Sequence, residues 1–171
     1  MKLIKLSALA SLLFVFVLGI SSCKRAAEEK KITDYSKNGI IMSGAQETPA
    51  VPSSALGTMD VFYSKDTRTL TYKVTWSGLT DSLSLMHIHG LGPTGFAAGV
   101  VQNIVAASNS IFPRLIPGTT RLTYSKSGTI SGTLLVDGVA VKEQDLLNGV
   151  YYMNIHTSVY PAGEIRGQIT F

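Results

Sequence analysis

The sequence contains a single cysteine, Cys23, so several kinds of site are excluded at the start. An internal disulfide and a cysteine-rich zinc site both need more than one thiol. The glycine-rich segment 90–95 is not followed by Lys-Ser or Lys-Thr, as a phosphate-binding loop would be. No Gly-x-Ser-x-Gly elbow is present, so a serine hydrolase triad has no anchor.

Excess charge of one sign is also scarce. The chain carries 15 Lys and Arg against 11 Asp and Glu, a formal net charge of +4. Two of these lysines, Lys2 and Lys5, lie at the amino end before an apolar run. No basic stripe with interleaved aromatic residues occurs, and we therefore expect no nucleic-acid binding.

One long apolar run is present, from Leu6 to Ile20. A basic start followed by roughly 7–15 apolar residues is typical of a secretory signal. The run is shorter than the roughly 20 residues that a membrane-spanning helix needs. It ends in Ile20-Ser21-Ser22-Cys23, which resembles the bacterial lipobox, where small residues precede a cysteine that is acylated.

These features predict a lipoprotein signal peptide over residues 1–22 and a lipid anchor on Cys23. The mature protein would be exported and held to a membrane of the bacterial cell envelope, which we place at the outer membrane. The alternative is an ordinary cleaved signal followed by an unmodified cysteine.

The remaining chain divides into a polar tether and an all-β domain. Residues 23–37 are charged and lack periodic apolar residues, which predicts a disordered tether. From residue 38 to 171, short runs rich in Val, Ile, Thr and Tyr alternate with Gly, Pro, Asn and Ser, as antiparallel strands and turns do. This pattern predicts one Greek-key β-sandwich or barrel of eight or nine strands.

The clearest strand is Leu70–Trp76, where apolar and polar residues alternate strictly. The other predicted strands are Gly57–Tyr63, Leu83–His89, Val100–Val105, Thr119–Tyr124, Thr129–Val136, Val150–His156 and Glu164–Phe171, with one short helix at Val141–Leu147.

Three passages of the domain occur in a characteristic order. They are Met42–Pro49 (MSGAQETP), His87–Gly90 (HIHG) and Tyr152–Ile169, which contains YMNIHT and YPAGEIRGQI. Together they resemble the CHRD domain of chordin and of many bacterial secreted proteins. The resemblance implies an extracellular β-sandwich but no particular activity, because the growth factors bound by chordin do not occur in bacteria. We therefore expect a non-catalytic binding or structural module, with an envelope or extracellular protein as a candidate partner.

All three histidines of the chain, His87, His89 and His156, lie in the second and third passages. Residues two apart in a strand point the same way, so His87 and His89 share a face. His156 shares a face with Asn154 in the same manner. If the two strands are neighbours, three imidazoles converge, and imidazole suits zinc and copper. The alternative function is therefore copper or zinc binding through a three-histidine site.

Four further residues are candidates to support such a site: Glu47, Glu164, Asn154 and Arg166. Partners of this kind hydrogen-bond a ligating imidazole and fix its tautomer, and either carboxylate could also be a fourth ligand. In the alternative interpretation the carboxylates pair with Arg166 or cap turns. The imidazoles then hydrogen-bond to loop groups and fix the turn at residues 90–99.

A looser analogy links the histidines to the Cu/Zn superoxide dismutases. Those enzymes are also Greek-key barrels with a His-x-His pair on one strand and a further copper ligand near the chain end. This sequence lacks their zinc-binding loop and their cysteine pair. A dismutase-like metalloenzyme is therefore the less favoured alternative, and we assign no catalytic residue.

Overall fold

Eight antiparallel strands form one sheet that curls into an almost closed barrel. The computed structural model describes residues 32–105 and 125–171. The strands are β1 (Asp34–Ser43), β2 (Leu56–Ser64), β3 (Thr69–Ser77), β4 (Leu83–Gly90), β5 (Val100–Val105), β6 (Gly128–Leu135), β7 (Tyr151–Thr157) and β8 (Ile165–Gln168). They lie in the order β5-β4-β7-β8-β1-β2-β3-β6, and the predicted all-β class is confirmed.

Helical structure within the described ranges is limited to a 3-10 turn at Gly44–Gln46 and a short helix, α1 (Glu143–Leu147). The helix lies inside the segment that the sequence predicts as helical. No helix among the described residues is long and apolar enough to cross a membrane. The predicted signal peptide, Cys23 and the predicted strand Thr119–Tyr124 lie outside the described residues.

The first strand begins earlier than the domain boundary expected from the sequence. β1 starts at Asp34 and pairs with β2 from Asp34–Ser64 to Lys37–Val61. Residues 34–37 were assigned to the tether but belong to the sheet. Most of these residues are exposed, so backbone pairing holds them and the sequence shows little apolar alternation there.

Strict alternation in β3 places one of its faces in the core, as predicted. Its inward side chains are 0–3% exposed, while the residues between them face solvent. Strands β4 and β7 contribute Met86, Ile88, Met153 and Ile155 to the same apolar cluster. The inward-facing residues of β3 are Leu70, Tyr72, Val74 and Trp76.

A side chain links the two edge strands of the sheet. Gln102 of β5 donates through Nε2 to the backbone oxygen of Thr133 in β6, at 2.8 Å. The hydroxyl of Tyr72 donates to Gln102 Oε1 at 3.3 Å. Within the described residues, no backbone ladder joins β5 to β6. The Gln102 side chain bridges the two strands instead.

The outer face of β4, β7 and β8 is both polar and buried. Antiparallel sheets commonly expose one face to water, yet every residue of β7 and β8 is buried. Three connections cover this face, at residues 47–55, 91–99 and 158–164. Arg166 fixes one of them by donating to the carbonyl oxygens of Phe96 at 2.9 Å and Pro93 at 3.2 Å. The histidines of β4 and β7 point into this covered face.

The packing of Tyr72 against β6 gives a test of the barrel. Tyr72 lies opposite Gly132, and a Cβ added to Gly132 would lie 2.6 Å from Tyr72 Cζ. We expect Gly132→Ala to lower the free energy of unfolding by about 1–3 kcal/mol through overpacking, measured by urea denaturation. The matched control, Ser131→Ala, changes an exposed neighbour and should stay within about 0.5 kcal/mol of the parent. Equal losses in both variants would contradict the packing.

Candidate metal centre

The pairing of β4 with β7 brings the three histidines together. The register places His87 opposite Asn154 and His89 opposite Tyr152, and His156 lies two residues beyond Asn154. One ring nitrogen from each histidine lies within 4.8 Å of the others. The three side chains are only 5–8% exposed. The predicted convergence of the imidazoles is confirmed.

Two of the imidazoles have their tautomer fixed by loop carbonyl groups. His89 Nδ1 lies 2.9 Å from the oxygen of Ala98, and His156 Nδ1 lies 3.0 Å from the oxygen of Pro161. A carbonyl oxygen only accepts, so each Nδ1 carries the proton and the neutral ring keeps its lone pair on Nε2. A ligating histidine is usually held in this way, with its other N–H donated to a carbonyl or carboxylate.

The remaining nitrogens face one another across a small central space. His87 Nδ1 lies 3.1 Å from His156 Nε2. The side-chain oxygen of Asn154 lies 2.9 Å from His156 Nε2 and 3.0 Å from His89 Nε2. Without a metal, the Nδ1–H tautomer of His87 can donate to His156. Moving that proton to Nε2 of His87 would free a third lone pair toward the centre.

Burial keeps two rings of the cluster, His87 and His156, uncharged. Burial lowers the pKa of His87 to about 4, and the neighbouring His156 and His89 add to the effect. Burial also lowers the pKa of His156, against the opposing effect of its bond to the Pro161 carbonyl. Neutral imidazole is the form that binds metals, so these rings are in their ligand state at neutral pH.

Glu47 lies behind Asn154, on the side of its amide nitrogen. Gly163 packs against both side chains. A Cβ added to Gly163 would overlap Glu47 Oε1 and would lie 2.8 Å from Asn154 Nδ2. Burial raises the pKa of Glu47 to about 7, although the charge of Arg166, the Asn154 amide and the backbone of Thr48 oppose the shift. Its Oε1 atom has no hydrogen-bond partner among the described residues.

Glu164 is bound elsewhere and contacts no imidazole. Its carboxylate accepts hydrogen bonds from Ser53 Oγ, Thr157 Oγ1 and both the backbone N–H and the hydroxyl of Thr80, at 2.7–2.9 Å. Burial tends to raise its pKa, but these hydrogen bonds outweigh burial and the pKa is lowered. Glu164 therefore joins the β3–β4 connection to β7.

Arg166 is linked to the histidines through a neighbouring side chain, Tyr152. It forms no ion pair with Glu47 or Glu164 within the described part of the chain, so the carboxylate pairing considered as an alternative is not found there. Its guanidinium lies over the Tyr152 ring, 3.5 Å from the centroid. That ring stacks on His89 with centroids 4.8 Å apart and an interplanar angle of 3°.

Sequence reasoning missed the groups that orient the imidazoles. Strand alternation puts Tyr152 on the same face as Asn154 and His156, but it does not predict the stacking of Tyr152 on His89 or the contact of its hydroxyl with the Ala98 N–H. The carbonyl groups of Ala98 and Pro161 carry no side-chain signal at all. Gly163, with φ of +133°, is a detectable signal because a glycine is required there.

The depressed pKa of His87 predicts a pH dependence for the metal-free protein. As the pH falls, His87 is protonated at a higher pH in the unfolded chain than in the folded protein. The contribution of His87 to stability is therefore fully present above pH 6.5 and is lost as the pH falls toward 4. The full shift corresponds to about 3 kcal/mol, and with a discount for solvent screening we expect a loss of roughly 2 kcal/mol over this window. The measurement is urea unfolding of chelator-treated protein at several pH values.

His87→Asn is the comparison variant, because it removes this contribution but keeps that of Glu47. The raised pKa of Glu47 acts in the opposite direction between pH 4.5 and about 7. The parent should lose more stability than the variant as the pH falls. Parallel profiles would show that His87 is not held neutral by the fold.

Comparison with known proteins adds one finding. The CHRD domain matches residues 39–169, which include all three histidines. A search of the curated proteins found no match, and a search of the solved structures found none either. Since the match covers well over half of the chain, this protein belongs to the CHRD domain family.

Proposed function

We propose that this chain is a non-catalytic binding module of the bacterial cell envelope and that it binds a copper or zinc ion through His87, His89 and His156. The observation that carries the proposal is the tautomer of two of the rings. His89 and His156 give their Nδ1 protons to backbone carbonyls, which leaves the Nε2 lone pairs directed at one centre.

A purely structural cluster explains only half of these contacts. The bonds to Ala98 and Pro161 fix the covering connections whether or not a metal binds. They do not explain why the opposite nitrogens are brought within 4.8 Å of one another in a buried site. In the neutral rings the Nε2 atoms of His89 and His156 are acceptors that face another acceptor, the Asn154 oxygen, and a cation at the centre would bind these lone pairs at once.

The donor set favours copper or zinc over harder ions. Imidazole suits zinc, copper, iron and nickel, whereas calcium, magnesium and manganese prefer carboxylates and water. The carboxylate of Glu164 is fully occupied by hydroxyl and backbone donors. A neutral, nitrogen-rich centre is what remains.

Burial argues for binding rather than catalysis. The imidazoles are 5–8% exposed, so a substrate would reach the ion only if the covering connections moved. A catalytic zinc or copper site instead keeps an open coordination position. A dismutase-like or hydrolytic reaction is for this reason the weaker alternative.

The metal proposal is tested with a chain that begins after Cys23, by calorimetric titration with Zn²⁺ and Cu²⁺ and by elemental analysis. We expect about one equivalent of metal to bind. His89→Ala should weaken binding by more than about 10-fold, because even a supporting partner of a metal ligand contributes 10- to 100-fold. Undiminished affinity in His89→Ala would contradict a three-histidine site.

Glu164→Gln is the control for stability. It disturbs a buried carboxylate that contacts no histidine, so it should lower the melting temperature while leaving the metal affinity unchanged. A variant that loses both properties would indicate that metal binding merely follows the general state of the fold.

Envelope attachment is proposed from the apolar run that ends at Cys23. Stable membrane anchoring requires more than one acyl chain, which an acylated amino-terminal cysteine supplies. We expect the full chain, expressed in bacteria, to incorporate an alkyne-labelled fatty acid and to partition into detergent. Cys23→Ser should abolish the label and release the protein into the aqueous phase; persistent labelling would rule out this anchor.

A further inference from the structure

We infer that the side-chain oxygen of Asn154 is the fourth ligand of this centre, which closes the coordination shell; this rests on the proposed metal binding by the histidines. The site would then hold an ion tightly without leaving a position for substrate or water.

The distances around Asn154 fit a four-coordinate ion. Zinc–nitrogen bonds of 2.0–2.1 Å place neighbouring ligand atoms of a regular tetrahedron roughly 3.3–3.4 Å apart. Asn154 Oδ1 lies 2.9 Å from His156 Nε2 and 3.0 Å from His89 Nε2. His87 Nδ1 lies 3.1 Å from His156 Nε2. Small outward shifts would bring these three pairs of atoms to the spacing of a tetrahedral shell.

A hydrogen bond from His87 accounts for its contact with His156, but the two contacts of the Asn154 oxygen with Nε2 atoms have no such explanation. Because their Nδ1 atoms donate to loop carbonyls, the neutral forms of His89 and His156 carry no proton on Nε2. The Asn154 oxygen is an acceptor too, so three acceptors face one another at hydrogen-bond distance. Between neutral rings this arrangement is repulsive, and a metal cation at the centre would relieve the repulsion.

The surroundings of the amide support the orientation in which its oxygen faces the rings. The Glu47 carboxyl lies on the Nδ2 side of Asn154, where an acceptor suits the amide donor. Turning the amide over would place its oxygen against this carboxyl. Glu47 is thus a positioning residue, which favours the orientation that presents Oδ1 to the metal.

The strand register explains why this side chain can reach the ion. Asn154 lies directly across from His87 and two residues before His156, so one short stretch of β7 supplies two ligands. Asn154 is 2% exposed and lies between β4 and β8. A flexible loop residue would not fix the oxygen to this accuracy.

Azide binding to the cobalt-loaded protein tests whether the shell is closed. Co²⁺ replaces zinc and reports its coordination through visible absorption bands. We expect azide to leave the parent spectrum unchanged, because no position is free. In Asn154→Ala the spectrum should shift with azide, and the Zn²⁺ affinity should fall by about 10- to 100-fold.

Two further variants complete the design. Asn154→Asp keeps an oxygen at the same place, so it should retain zinc, alter the cobalt spectrum through the new carboxylate, and remain insensitive to azide. Asn148→Ala removes an exposed asparagine whose side-chain oxygen accepts from Gln144, and it should behave like the parent in every assay.

The outcomes separate this inference from the function on which it rests. If azide shifts the parent bands as strongly as those of Asn154→Ala, the shell is open and the inference is overturned, while metal binding stands. An Asn154→Ala variant with parental zinc affinity overturns it as well. If Asn154→Ala does not fold, Asn154→Asp provides the test. A cobalt spectrum of Asn154→Asp that is identical to that of the parent would then overturn the inference. A parent protein that binds neither cobalt nor zinc overturns both proposals.

Discussion

The polar face formed by β4, β7 and β8 must satisfy its hydrogen bonds without water, and much of the domain is arranged to meet that requirement. Gln168 Nε2 lies 2.7–3.0 Å from the carbonyl oxygens of Gly92, Gly149 and Tyr151, which share its two N–H donors. Arg166, 2% exposed, directs its donors to the carbonyls of the 91–99 connection. A buried polar group left unpaired costs about 1–3 kcal/mol, so these side chains hold the connections in place.

The candidate metal centre depends on the same covering. Its ligand-bearing residues lie on paired strands, whose register fixes their spacing, while the covering connections supply the carbonyls that select each tautomer. A site built on strands is held more accurately than one built on loops. Here the loops contribute backbone groups and the strands contribute side chains.

Much of this architecture could be predicted because it depends on local alternation. The two-residue period of β3 predicts its buried face, and His-x-His predicts that two imidazoles share a side. The pairing of β4 with β7 joins segments some 69 residues apart, as the contact between His87 and His156 shows. Local pattern cannot establish such a pairing. The sequence therefore predicts the three-histidine cluster only if β4 and β7 are neighbours.

The two glutamates show where prediction ended. Glu47 and Glu164 are the same residue type, and each lies next to a recognisable motif. One lies in a buried position beside Asn154, whereas the other is surrounded by threonine and serine hydroxyls. Their different roles depend in part on residues more than 80 positions away, such as Thr80 for Glu164. Only the folded chain brings these partners together.

The link that Gln102 makes between β5 and β6 has a consequence for association between molecules. Unpaired strand edges are templates for pairing with another chain, and natural sheets protect them. By occupying the Thr133 carbonyl, Gln102 uses one of the edge acceptors that an incoming strand would need. A sheet that turns its edges toward each other in this way is less prone to polymerise.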